Sequence, residues 1–285
     1  MKPVSILERV APFGIVLATL TIALATTNRA GEAQAPPPPP QPAAGSARAA
    51  APVDLTGNWV SVVTEDWQNR MVTPSKGDYE SLPLTVEARK VADAWDLTKD
   101  EAAGLQCKPF GVGNIMRQPA RLRISWQDDQ TLKIEIDAGT QTRLLRFDKG
   151  VQPGGERTWQ GNSVADWETP GRGRAFFAGG GDLGRRSRGW QPRGGSLKVT
   201  TTNFREGYLR KNGVPYSENA TVMEYFDLVP PLPNGEVWLV VATTVTDPRY
   251  LAEPFLTSSN FKKEPNGSKW NPTPCLTDPP SGKGR

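Results

Sequence analysis

The chain is expected to fold as a mostly β protein, an antiparallel barrel or a strongly curved sheet, and three observations point there. Residues 121–127 (RLRISWQ) set Leu122, Ile124 and Trp126 against Arg121, Arg123 and Ser125, the period of two that marks a strand with one buried face. Residues 131–137 (TLKIEID) repeat it, with Leu132, Ile134 and Ile136 opposite Lys133, Glu135 and Asp137. Turn residues separate such segments at a spacing of about ten residues, as in sandwiches and barrels.

The N-terminus reads as an export leader over residues 1–35. Lys2 and Arg9 precede an apolar run from Val10 to Thr27, and small-residue cleavage patterns follow. Ala33-x-Ala35 would put Pro36 directly after the cut, whereas Ala23-x-Ala25 or Ala30 avoids this. An uncleaved anchor stays open, because 18 apolar-run residues are at the lower limit for spanning a bilayer. Neither Cys lies near the leader, so a lipoprotein anchor is out. Residues 36–52 (PPPPPQPAAGSARAAAP) have too little apolar bulk to fold and read as a tether. The remainder, 53–285, is expected to form one β-rich domain, since no second linker divides it.

Within that domain, strands are expected at 58–65, 121–127, 131–137, 141–147, 163–168, 196–203, 220–228 and 236–247. Asp128-Asp129-Gln130 and Ala138-Gly139-Thr140 supply the turns of the central meander. One short helix is expected near 84–95. Thr85 can cap it, and Leu84, Ala88, Val91, Ala92 and Trp95 share a face.

Composition excludes several chemistries. The chain has no histidine, so Ser-His-Asp triads, Cys-His dyads and the usual His-containing zinc sites are out. Acid–base work would fall to Asp, Glu, Lys, Tyr or an activated water. No cofactor or metal is expected. The two cysteines, Cys107 and Cys275, are expected to pair in an oxidising compartment, with two free buried thiols as the other reading. The net charge of +4 is concentrated: residues 171–195 hold six Arg against one Asp, and residues outside that segment and the first 48 are net negative. Basic character thus belongs to one Gly-rich loop, and a nucleic-acid partner is not expected. Membrane contact is expected only through an uncleaved N-terminal segment.

Gly57-Asn58-Trp59 resembles the G-x-W signature of lipocalins, whose tryptophan closes the base of an eight-stranded barrel, which implies a lipocalin-like architecture for the opening strand. A broader resemblance follows in order: CKPFGVGNIMRQP from Cys107, TWQGNSVADWE from Thr158, LKVTTTNF, LRKNGVPYSENATVMEYF, TTVTDPRYLAEPF and the late Cys275. This is similar to a large uncharacterised family of exported bacterial β-rich proteins with Cys-x-Pro-x-Gly…Met, Trp-x-Gly-x-Ser…Trp-Glu, Thr-Thr-x-Phe and Thr-x-x-Asp-Pro segments. The resemblance implies compartment, disulfide and a single domain, but no activity. The chain departs from that pattern by inserting its Arg/Gly loop between Glu168 and Leu197.

Three groups of residues could carry function. Glu65, Asp66, Trp67, Arg70, Asp78 and Tyr79 follow the end of the first strand, where loops at a barrel mouth carry chemistry. A desolvated carboxylate there could act as acid or base, and Glu65, Asp66 and Asp137 are the catalytic candidates. Glu135 and Asp137 share a strand face where Arg143 of the next strand could meet them. The third group is aromatic: Trp59, Trp67, Trp126 and Tyr216 could wall a pocket, with core packing as the bland alternative. The expected function is binding of a small hydrophobic or aromatic ligand by a periplasmic or secreted barrel, the Arg/Gly loop covering its opening. The alternative is a cofactor-independent isomerase, cyclase or lyase working in the same pocket.

Overall fold

The computed structural model describes residues 45–148, 155–169 and 195–279. The expected leader, linker residues 36–44 and the Arg/Gly-rich segment up to residue 194 lie outside the described residues.

Among the described residues, nine strands close a barrel. In chain order they are β1 (Gly57–Val62), β2 (Arg121–Asp128), β3 (Thr131–Ile136), β4 (Gln141–Arg146), β5 (Asn162–Glu168), β6 (Ser196–Thr202), β9 (Thr221–Val229), β10 (Trp238–Thr246) and β11 (Phe255–Glu264). Two further strands, β7 (Gly207–Arg210) and β8 (Val214–Tyr216), form a separate hairpin. Closure is made by β1, which pairs with β2 through Trp59 and Leu122 and with β11 through Ser61 and Phe261. A ring of nine strands cannot alternate up and down throughout, so one neighbouring pair has to run parallel. That pair is β4–β5, with Leu145 opposite Ser163 and Arg146 opposite Val164. The long connection a parallel pair requires is residues 147–161.

The expected alternation fills the bore. Leu122, Ile124, Leu132, Ile134, Ile136, Leu145, Leu197, Val199, Phe226, Leu239, Val241 and Phe261 point inward around Trp59 in one apolar cluster. Small barrels are filled by side chains in this way. Along β9 the inward positions run Phe226, Glu224, Val222, and along β10 they run Val241, Thr243, Val245. Phe226 and Val241 belong to the first cluster, whereas Val222 and Val245 belong to a second. Buried polar side chains thus form a belt between two apolar layers.

The second cluster covers the mouth, the barrel end where β1 exits and β2 enters. It combines the strand ends with the β7–β8 hairpin and α2 (Val86–Asp93). Thr85 caps α2 by accepting from the Ala88 N–H at 3.2 Å, as its position predicts. Ala88 and Ala92 are buried, and these small residues let the helix lie against β8. Val91, expected on the same face, is instead exposed. Two short helices stand beyond the one the sequence predicts: α1 (Trp67–Met71), next to the mouth, and α3 (Leu97–Ala102).

Cys107 and Cys275 are joined in a disulfide, their Cα atoms 5.1 Å apart. The bridge fixes the C-terminal segment to the mouth side of the barrel, where Thr273 N–H also donates to Asp137 O at 2.9 Å. A disulfide fits a periplasmic or extracellular setting. At the other end, Trp126, Phe147 and Trp167 form a row with ring centroids 5.6 and 5.3 Å apart. The Trp167 indole donates to Ala47 O at 2.9 Å, and Arg48 N–H donates to Asp129 O at 3.1 Å. Residues 45–52, at the end of the stretch whose composition suggests a tether, are therefore packed on the barrel.

Candidate ligand-binding site at the barrel mouth

Beyond Val62 the chain leaves the barrel and turns through Thr64-Glu65-Asp66 into α1. Asp66 takes left-handed backbone angles (φ 51°, ψ 33°), a conformation that costs a non-glycine residue free energy. It stands at the N-cap of α1, yet its side chain caps no helix N–H. Its carboxylate is held instead by the guanidinium of Arg117 and the side-chain amide of Asn69.

Three buried arginines converge here from separate elements: Arg70 on α1, Arg117 at the end of the 3-10 turn Ile115–Arg117, and Arg210 on β7. Arg70 Nε donates to Arg117 O at 2.9 Å, and its Nη1 reaches Glu65 Oε1 at 3.4 Å. Arg210 Nη2 lies 3.8 Å from Asp66 Oδ2. Glu65 is anchored in turn to β11, accepting from Ser258 Oγ at 3.2 Å and Asn260 Nδ2 at 3.1 Å. Burial by itself would raise the Asp66 pKa. Hydrogen bonds from Asn69 and Arg117, with the charges of Arg117 and Arg210, outweigh it and hold the carboxyl below the usual range. Burial pushes Arg70 and Arg210 down from the ordinary guanidinium value, and the charge of Arg117 adds to the effect at both.

Beside this cluster, outside the barrel wall, lies a groove of about 510 Å³ bordered by Val60, Val63, Trp67, Met71, Pro119 and Arg121. Trp67 and Met71 are four apart on α1 and so share one face, and they are 58% and 50% exposed. Large apolar side chains displayed together beside a concavity are what small-molecule sites use.

The candidate residues fall into distinct places. Glu65, Asp66, Trp67 and Arg70 are brought together, as their closeness in sequence suggests. Asp78 is exposed, and its carbonyl accepts from Asn212 Nδ2 at 3.1 Å. Tyr79 is buried and donates to Asp93 Oδ1 at 2.9 Å; burial, then that hydrogen bond, push its pKa up to about 12. Trp59 is core, its indole donating to Leu55 O at 3.0 Å. Trp126 belongs to the aromatic row at the far end. Tyr216 is fully buried, its ring in a slot between Gly111, Gly113 and Gly207.

The meander candidates separate as well. Asp137 accepts from Arg121 N–H at 2.7 Å, Arg121 Nη1 at 3.3 Å and Asn271 N–H at 3.3 Å, which ties β2 and the C-terminal segment to the end of β3. Arg143 does not meet Glu135 or Asp137. It lies opposite Ile134 in register, so the pleat turns it into the bore, where it pairs with Glu224 in a bidentate contact. Glu135 points outward to Lys133 at 3.2 Å.

Arg117 and Arg210 were not singled out from sequence. The one available signal for Arg117 is that it stands alone as a charge in the apolar stretch FGVGNIMRQPA, whose residues 110–118 are all buried. Among the described residues no group of three or more Cys, Asp or Glu could hold a metal ion. No protein-family model matches the chain, and no curated protein matches it as a relative.

Proposed function

We propose that this is a ligand-binding barrel of the periplasmic or extracellular space, taking a small hydrophobic or aromatic molecule in the groove beside α1. The observation that carries the reading is the paired display of Trp67 and Met71 over that groove. Its volume lies within the range of about 300–1,000 Å³ typical of small-molecule sites. The site differs from the one the sequence suggests: the ligand rests against the outside of the wall near the mouth, and the bore serves as core.

The enzymatic alternative has weaker support. Asp66 is held ionised by its partners and is a poor proton donor at neutral pH. Asp137 is engaged by three donors that serve the fold.

Titration of the full chain with an apolar fluorescent probe such as 1-anilinonaphthalene-8-sulfonate, alongside the variants W67A and M71A, tests the proposal. Saturable binding that weakens by about tenfold in W67A is expected, since a ligand-covered aromatic is worth roughly 1.5–3 kcal/mol. Equal probe binding by W67A and M71A would remove the groove as the site.

A further inference from the structure

Within ion-pair distance, the charges of the arginine cluster do not balance. Three guanidiniums, with side chains 0%, 6% and 2% exposed for Arg70, Arg117 and Arg210, face two carboxylates within ion-pair distance, Glu65 and Asp66. Asp78 and Glu80 act on Arg210 only as more distant charges. Donors are also left over: Arg70 Nη2, Arg210 Nε and Arg210 Nη1 are buried without any hydrogen-bond acceptor among the described residues. A buried cationic donor without an acceptor is costly, and three of them in one place favour a further acceptor, best an anion. Guanidinium forks match the paired oxygens of a carboxylate, phosphate or sulfate.

We propose that Arg70, Arg117 and Arg210 form a binding site for a small oxyanion, in which Asp66 supplies a resident carboxylate and a further anion completes the neutralisation. The arginines come from three elements that the barrel and its cap hold in place, so the guanidiniums are gathered before any ligand arrives. Asp66 and Glu65, 29% and 35% exposed, are the solvent-facing members, and the oxyanion enters past them. Asp66 therefore both orients the guanidiniums and competes with the incoming anion. The inference is independent of the groove, because it concerns charge and not apolar contact.

The test is thermal unfolding of the full chain in acetate, inorganic phosphate or sulfate, with sodium chloride holding ionic strength constant. Saturable stabilisation by at least one of the three is expected, and their order identifies whether the site prefers carboxylate or a tetrahedral oxyanion. In R210M the apparent affinity should fall by about tenfold or more, and in D66N it should rise by about tenfold, since a charge-assisted bond is removed or a competitor withdrawn. Absence of saturable stabilisation in both the unaltered chain and D66N would overturn the proposal. So would stabilisation unchanged in both D66N and R210M, which would place the anion elsewhere, for instance on the Arg-rich segment 171–193. Should R210M fail to fold, D66N alone decides: an unaltered affinity counts against the site.

Discussion

Arg143 on β4 and Glu224 on β9 meet across the bore of the barrel, both side chains wholly buried. Arg143 Nη1 donates to Glu224 Oε1 at 2.9 Å, and Nη2 reaches the second oxygen and, at 3.5 Å, Thr201 Oγ1, itself 2.8 Å from Ser163 Oγ. The pair links strands that are not neighbours, which fixes how the two sides of the ring face each other. Removing one partner leaves the other charge buried and alone, a change worth about 3–5 kcal/mol. R143M should therefore lower the unfolding free energy in urea by that amount. R143M/E224M, which leaves no charge behind, should recover most of it; a double variant as unstable as the single one would show that packing, not charge, sets the cost.

Tyr216 is enclosed by glycines because nothing larger fits. A Cβ on Gly111 would stand 2.1 Å from the Tyr216 oxygen, one on Gly207 2.4 Å from it, and one on Gly113 2.7 Å from the ring. G111A is expected to cost about 1–3 kcal/mol by overpacking. In G111A/Y216F the missing oxygen vacates the space, so the loss should be smaller than the sum of the two single losses, as read from a double-mutant cycle in urea.

The meander was legible because Leu122, Ile124, Ile134 and Ile136 alternate with charges, and the bore selects for such alternation. β11 was not, because its inward position Ser259 faces the polar belt, leaving only Phe255 and Phe261 as apolar markers. The β7–β8 hairpin is illegible for the opposite reason: every residue of its two strands is buried, so no period exists to detect. Of the site, the contiguous run from Glu65 to Arg70 could be read as a cluster. Arg117 and Arg210 could not, since long-range convergence of single arginines leaves no local pattern. The inward placement of Arg143 can be read from its own strand: it shares parity with buried Leu145, just as Glu224 does with Val222 and Phe226.

The disulfide joins Cys107 and Cys275, 168 positions apart in the sequence. In the chain-entropy account such a loop restricts the unfolded ensemble strongly, and loss of a native bridge costs about 2–5 kcal/mol. C107S/C275S should lower the urea midpoint accordingly. It should also increase hydrogen exchange at Thr273, whose N–H bonds Asp137 O beside the bridge. Protection at Thr273 equal to that of the bridged chain would mean that Asp137, rather than the disulfide, secures the C-terminal segment.

Asp66 gives the fold a defined acid dependence. Its folded-state pKa lies below the ordinary aspartate value, because hydrogen bonds from Asn69 and Arg117 and nearby positive charge overcome the opposing effect of burial. The ionised carboxylate therefore stabilises the native state fully above about pH 4–5, and that contribution is lost as pH falls through the folded-state value. Unfolding free energies measured in urea between about pH 7 and 2.5 should show the unaltered chain more stable than D66N at neutral pH, with the gap narrowing below about pH 4. Because Asp66 is partly exposed, added salt should narrow the same gap at pH 7. A difference between the two proteins that stays constant across the whole range would assign the role of Asp66 to shape and hydrogen bonding, with no contribution from its charge.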